Sequence, residues 1–323
     1  LDLLTIQQQR TRDMQVTSSA DLVIDNGTVK LSGLYPVGSN NVALGTKALG
    51  SIAADASANV AVGMKAGFAL TTEDQNVIVG TQAGQHIVHG GGAGVGDNNT
   101  LIGYQSGMGA STTNKATDNT AVGSCSLEAI TTGTQNSFVG KRAGLILSTG
   151  TLNTGNGYQS GDDITTGTGN VFIGARSGMG VESGNYNVCI GNKSGDSDGA
   201  NNLGDNKLVI HSSSGGTDIP SKKALIYGDF DASTLQVNCG HTSNDALTVN
   251  SEHATYSGDL LKLTTEDGAD AGFDFVKAKA DNVTQFRVSG VGVVYAQNTT
   301  VQSADYADMF EWSDGNPDDE DRI

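Results

Sequence analysis

Bulky apolar side chains are scarce in this sequence. Aromatic residues make up 5 % of its 323 positions, and tryptophan occurs once. Charged residues, at 16 %, are also few, against about a quarter in ordinary globular domains. Little apolar burial per residue is available, so stability must come from regular backbone pairing or from association of chains. Proline occurs three times against 45 glycines. Glycine without a strict three-residue period excludes a collagen helix. The cysteines, Cys125, Cys189 and Cys239, lie far apart. They form no Cys-x-x-Cys and no Cys/His cluster at zinc spacing, so no metal and no cofactor are expected. No signal peptide or apolar run of membrane length is present in a chain that starts at Leu1 like a piece of a longer polypeptide, and membrane insertion is not expected.

Positive charge is short as well. Lys and Arg number 18 against 35 Asp and Glu, for a net charge of −17 and a pI near 4.4. So acidic a surface resists self-association and repels nucleic-acid phosphates, which excludes DNA and RNA as partners. Nucleophile constellations are missing too: His86, His89, His211, His241 and His253 have no paired Ser or Cys motif.

What the chain does have is a repeat. Asn-x-apolar-apolar-Gly begins at Asn41, Asn59, Asn76, Asn99, Asn119, Asn136, Asn153, Asn170 and Asn187, with spacings of 18, 17, 23, 20, 17, 17, 17 and 17. The base period is 17, with insertions in residues 90–94 and around 112–115. The fifth position is Gly in all nine units, and the eighth is always Ala or Ser. The ninth is Gly except at Leu49 and Leu127, and the seventh is long and polar except at Cys125. Internal periods of this size signal stacked architectures.

Seventeen residues can hold two short strands and two turns, so one unit reads as one coil. Val-Ala-Val or Val-Phe-Ile is a strand-forming run, and the glycine after it admits a turn closed to other residues. Stacked coils set each Asn above the last, where an amide ladder can form. At about 4.8 Å per coil, nine coils span roughly 43 Å. One coil turns only one or two apolar residues inward, and solenoid coils need neighbours and caps. Three columns about one axis would bury the small residues at positions eight and nine, so a parallel homotrimer is expected. Val171, Phe172 and Ile173 are expected on a buried strand, and Cys189 as a small buried thiol. The unit at Asn153 has lost its apolar pair and is the expected weak rung. A calcium-binding nine-residue roll would need an Asp in each turn, which is absent. A disordered Gly/Asn linker would not keep apolar pairs in register.

The sequence predicts an all-β chain: an adaptor or cap over 1–38, nine β-roll coils over 39–198, a capping segment over 199–240, a narrow β-stalk over 241–300, and a further motif over 301–323. In the first, Leu1, Leu3, Leu4 and Ile6 suggest a short helical segment, and Asp25-Asn26-Gly27 a hairpin turn. Strands are expected at 206–210, 224–228 and 235–237, closing the roll. Alternating runs at 246–249, 260–263, 273–276 and 286–288 suggest the stalk.

The nine coils resemble the head repeats of trimeric adhesins and of phage and algal-virus fibre proteins. That resemblance implies a left-handed parallel β-roll in a three-fold bundle. A second, shorter resemblance lies at Ser303-Ala304-Asp305-Tyr306-Ala307-Asp308-Met309-Phe310-Glu311-Trp312, followed by Asp314-Gly315-Asn316-Pro317 and Glu320-Asp321-Arg322. It is similar to the opening of the self-cleaving intramolecular chaperone domain of viral tailspikes. The resemblance implies Asp305 and Asp308 as the pair acting in autocleavage, with Asp308 standing where the family usually has Glu. Spacing alone also reads the two as solvated surface carboxylates. Asp314, Asn316 and Asp318 alternate like a calcium loop, but Pro317 interrupts them.

The expected function is that of a trimeric fibre or spike subunit on the surface of a virus particle. Its partners would be other virion structural proteins and a host surface receptor or glycan. The alternatives are a glycan-degrading tailspike enzyme and a bacterial trimeric adhesin head. The first needs two facing carboxylates in a groove, and the coils are poor in carboxylates. The second should continue into a coiled coil and a membrane anchor.

Overall fold

A short apolar run followed by residues of positive φ cannot extend far as a strand, and this sets the shape of every coil. In the computed structural model each repeat contributes one three-residue strand. These are β1 (Val42–Leu44), β2 (Val60–Val62), β3 (Val77–Val79), β4 (Thr100–Ile102), β5 (Thr120–Val122), β6 (Ser137–Val139), β7 (Thr154–Asn156), β8 (Val171–Ile173) and β9 (Val188–Ile190). The structure describes residues 38–88, 95–109, 114–195, 203–212 and 224–237, and the backbone of 274–280, 283–289 and 294–296. Among these there is no helix. β10 (Lys207–Ile210) adds a tenth rung, and β1 to β10 pair parallel and in register. β11 (Ile226–Asp229) and β12 (Thr234–Val237) then add antiparallel to the same sheet.

The unit length suggested two strands per coil, and the structure has one. Position five takes φ between 112° and 142°, position seven between 54° and 62°, and the residue before each Asn between 56° and 71°. The ninth position is positive as well, including Leu49 at 48° and Leu127 at 51°. These corners leave only three consecutive residues free to extend. The opposite wall carries single bridges such as Ser39↔Ser57 and Thr117↔Thr134.

The repeated asparagines are buried and form the expected ladder. Asn136 Oδ1 accepts the backbone N–H of Asn153 at 3.0 Å and its Nδ2–H at 3.0 Å, while Asn153 Nδ2 also donates to Gly167 O at 2.8 Å. The same backbone-to-amide bond joins each Asn to the one before it from Asn59 to Asn187. The ladder ends at Lys207, whose N–H still donates to Asn187 Oδ1 at 2.9 Å. Lysine has no amide oxygen for a further rung, and its Nζ pairs with Asp229 on β11 at 2.8 Å.

Inside, the middle residue of each strand faces the core. Ala61, Ile78, Leu101, Ala121, Phe138, Phe172 and Cys189 are buried there. The opposite wall supplies a second column at the twelfth position: Leu70, Ile87, Ile130, Leu147, Ile164 and Val181. The small residues at position eight are buried within their own coil, not held for a neighbouring chain. The serines among them donate to the carbonyl of the next middle residue, as Ser177 Oγ does to Cys189 O at 2.8 Å and Ser106 Oγ to Ala121 O at 2.8 Å. The expected burial of all of Val171–Ile173 is corrected in the same way. Only Phe172 points inward, because neighbouring strand residues alternate faces.

Apolar volume is balanced between rungs. Gly155 occupies the core position of the unit at Asn153, and a Cβ there would lie 2.3 Å from the Phe138 ring. The Phe138 and Phe172 rings on either side are fully buried, and the Phe138 ring takes the space that the missing apolar side chain of this rung leaves. The reverse exchange explains the two exceptions at position nine. Leu49 and Leu127 stand in two of the three units whose middle residue is Ala, with Ala43 and Ala121, and both leucines are buried. In the third, with Ala61, a Cβ at Gly67 would already lie 3.1 Å from Leu49 Cδ2. A left-handed leucine costs on the order of 1–2 kcal/mol, which burial of its side chain offsets.

The chain divides into two units, Leu1–Ala246 and Leu247–Ile323. In the second, β13 (Asp274–Ala280), β14 (Val283–Ser289) and β15 (Val294–Ala296) form an antiparallel sheet, with irregular register between Asp274/Val276 and Ala278/Lys279. β13 and β14 fall on the runs expected near 273–276 and 286–288. The expected strands at 246–249 and 260–263, and the features of 1–37, lie outside the described residues.

Phe172→Ala should destabilise the protein by about 3–5 kcal/mol in a denaturant melt, while Lys115→Ala, at an exposed position, should change stability by less than about 0.5 kcal/mol. Gly155→Leu should also destabilise, by about 1–3 kcal/mol through overpacking. Similar midpoints for Phe172→Ala and Lys115→Ala would refute the core assignment.

Candidate functional site

Because the middle strand residue faces in, positions two and four face out. Register carries the fourth position from strand to strand without a break. The row runs Leu44, Val62, Val79, Ile102, Val122, Val139, Asn156, Ile173, Ile190, Ile210, Ile226 and Val237. The antiparallel strands β11 and β12 thus continue the face of the coils. Eleven of these twelve side chains are Val, Ile or Leu. Leu44 is 51 % exposed, Ile102 38 %, Val139 40 %, Ile173 44 % and Val237 41 %.

The parallel row at position two mixes Val with Thr100, Thr120, Ser137 and Thr154, then Leu208, Gly228 and Leu235. Neither row carries a charge, in a chain of net charge −17. Tyr104 and Tyr158 are exposed at position six, just past the strands. At the cap, Gly228 leaves a shallow recess between Leu208 and Leu235. The strip spans eleven strand intervals, about 53 Å at 4.8 Å each. Contiguous apolar surface of this kind marks an interaction site.

The sequence shows the apolar pair at positions three and four but not their opposite directions. The second residue of four units gives the signal: Thr100, Thr120, Ser137 and Thr154 carry hydroxyls, suited to an outward face.

A second feature follows the turn at position seven. From Lys65 onward, each residue there donates its backbone N–H to the previous coil's sixth carbonyl, as Arg176 does to Tyr158 O at 2.8 Å. Side chains then bond along the column: Gln105 Nε2 donates to Gln82 Oε1 at 3.2 Å, and Arg176 Nε to Gln159 Oε1 at 3.2 Å. Gln159 Nε2 in turn donates to Asp162 Oδ2 at 2.7 Å, and Arg142 lies 3.4 Å from the same oxygen. Burial holds the Asp162 carboxyl above the usual carboxylate range, outweighing Gln159 and Arg142, which act in the other direction. Burial likewise pushes the Cys189 thiol up to about 12, leaving it an unreactive core residue.

Among the described residues no group of three or more His, Cys, Asp or Glu gathers as a metal site, and no helix is long and apolar enough to cross a membrane. Asp305 and Asp308 lie outside the described residues. No family model, curated protein or solved structure matches the chain.

The raised Asp162 pKa fixes the sign of a pH effect. A carboxyl raised on folding contributes stability that is full below its unfolded pKa and lost as pH rises through its folded value. Asp162→Asn, which keeps an oxygen for Gln159, should therefore melt higher than the parent at pH 7. The difference should vanish as pH falls into the carboxylate range. A lower melting temperature for the variant at pH 7 would contradict this.

Proposed function

We propose that this chain is a subunit of a homotrimeric fibre or spike on a virus particle, its nine coils wound as a left-handed roll. In this reading the uncharged outer strip of each chain turns toward the three-fold axis. The chain assembles with other virion proteins and presents its polar surfaces to a host receptor or glycan. The observation that carries the reading is the strip itself, which is long, in register, apolar and free of charge on an acidic protein. Burying it removes apolar area from water at about 25 cal/mol per Å². With no Asp or Glu in either row, the strip also brings no like-charged side chains face to face when two copies meet there. The likeness of residues 303–322 to a tailspike chaperone motif supports the viral assignment, and Asp305 and Asp308 would serve autocleavage there.

The strip replaces the earlier physical basis for a trimer. The small residues at positions eight and nine, expected to face the neighbouring chain, are buried inside their own coil. The outward fourth position supplies the surface instead.

Sedimentation equilibrium should show three chains per particle at micromolar concentration, and Ile102→Lys with Ile173→Lys should yield monomers or unfolded chain. A stable monomeric parent would overturn the trimer. Incubation with host surface polysaccharide should show binding without released oligosaccharide. Release would favour a glycan-degrading spike.

A further inference from the structure

The fourth-position row has one polar member. Asn156 stands in register between Val139 and Ile173. Its backbone takes the ordinary part in the stack, with its carbonyl accepting the Gly174 N–H at 2.8 Å. Its side chain is exposed, and no hydrogen bond within the described residues engages its amide. The same coil also departs from the repeat on its inner face, but that change has a local cause. Gly155 makes room for the Phe138 ring. Asn156 faces outward, on the opposite side of the strand from Gly155, so that cause does not extend to it.

A homomeric assembly through this strip faces a problem of register. Val and Ile side chains repeat along it every 4.8 Å or so, so the strip matches itself almost as well after a slip of one coil. Apolar contacts alone discriminate weakly between such offsets. One polar residue in an apolar seam removes the ambiguity, because its hydrogen-bonding groups are satisfied only opposite a partner of the same kind. A slipped pairing would bury the amide against Val139 or Ile173 of the next chain and leave it unbonded.

We infer that Asn156 is the register key between copies of this chain. At the seventh rung the Asn156 amides of neighbouring chains donate to and accept from one another, so that all rungs meet their counterparts. The inference rests on the homomeric reading above. The occupant is a second copy because it supplies, at once, an uncharged row of matching length and spacing and an amide at the matching rung. A chain of another sequence would need to reproduce all of these.

Disulfide trapping in the full chain tests this, in a background with Cys125→Ser and Cys239→Ser; Cys189 is buried. Chains with Ile102→Cys and chains with Val122→Cys, on adjacent rungs of the strip, are unfolded together, refolded and oxidised. Same-rung disulfides should exceed adjacent-rung ones at least ~10-fold with Asn156 present, in line with the energetic penalty of an unsatisfied buried amide. With Asn156→Val the ratio should fall toward one, while sedimentation still shows a trimer and the melting temperature rises. A trimer whose disulfide ratio is unchanged by Asn156→Val overturns the register key and leaves the trimer standing. Monomers in both backgrounds overturn the homomeric reading, and the key with it.

Discussion

The hydrogen bond from one coil's asparagine to the next is the constraint on which the rest of this structure depends. Asn136 Oδ1 accepts from both the backbone and the side chain of Asn153, and Asn153 Nδ2 also reaches Gly167 O. Each buried amide is thereby satisfied by partners that exist only at one offset. A slip would orphan its donors in the interior, at about 1–3 kcal/mol for each group. With eight such bonds from Asn59 to Asn187, register within the chain is fixed. The inner and outer faces then follow by alternation. Third-position residues go in, second and fourth go out, and every coil repeats the choice.

That regularity explains why so few bulky residues suffice. The core is two side chains wide, and volume is exchanged between rungs. Gly155 yields space to Phe138, and Leu49 and Leu127 accompany Ala43 and Ala121. The corners of positive φ are tolerated at Lys65, Gln105 or Arg176 because backbone bonds to the previous coil hold them in place.

Much of this was legible in the sequence. The period, the amide ladder, the burial of Cys189 and the strands beyond the last Asn could be read from it, because each depends on residues repeated at fixed offsets. Three features were not. The twelfth-position column keeps a constant distance from the leading Asn, but it is one apolar residue per coil among polar and small neighbours, as at Ile87 and Ile130, and a lone apolar residue carries no strand pattern. The single strand per coil depends on φ at Lys65 or Gln82, and side-chain chemistry does not reveal φ for such residues. The outward turn of Ile102 or Ile173 was hidden because an apolar pair reads as core, whereas a three-residue strand can bury only its middle member. The difference matters for function. In the proposed assembly it moves the contact from the small residues of positions eight and nine to an uncharged strip of Val and Ile on a strongly acidic protein, and it makes Asn156 conspicuous.

The central claim is that this strip is covered in the assembled particle. Hydroxyl-radical footprinting read by mass spectrometry tests it residue by residue. In the native assembly, Leu44, Ile102, Val139 and Ile173 should be protected relative to Leu152 and Tyr186, which are comparably exposed in the isolated chain but lie off the strip. That protection should disappear on dissociation. Equal oxidation of both sets in the native particle would contradict the account.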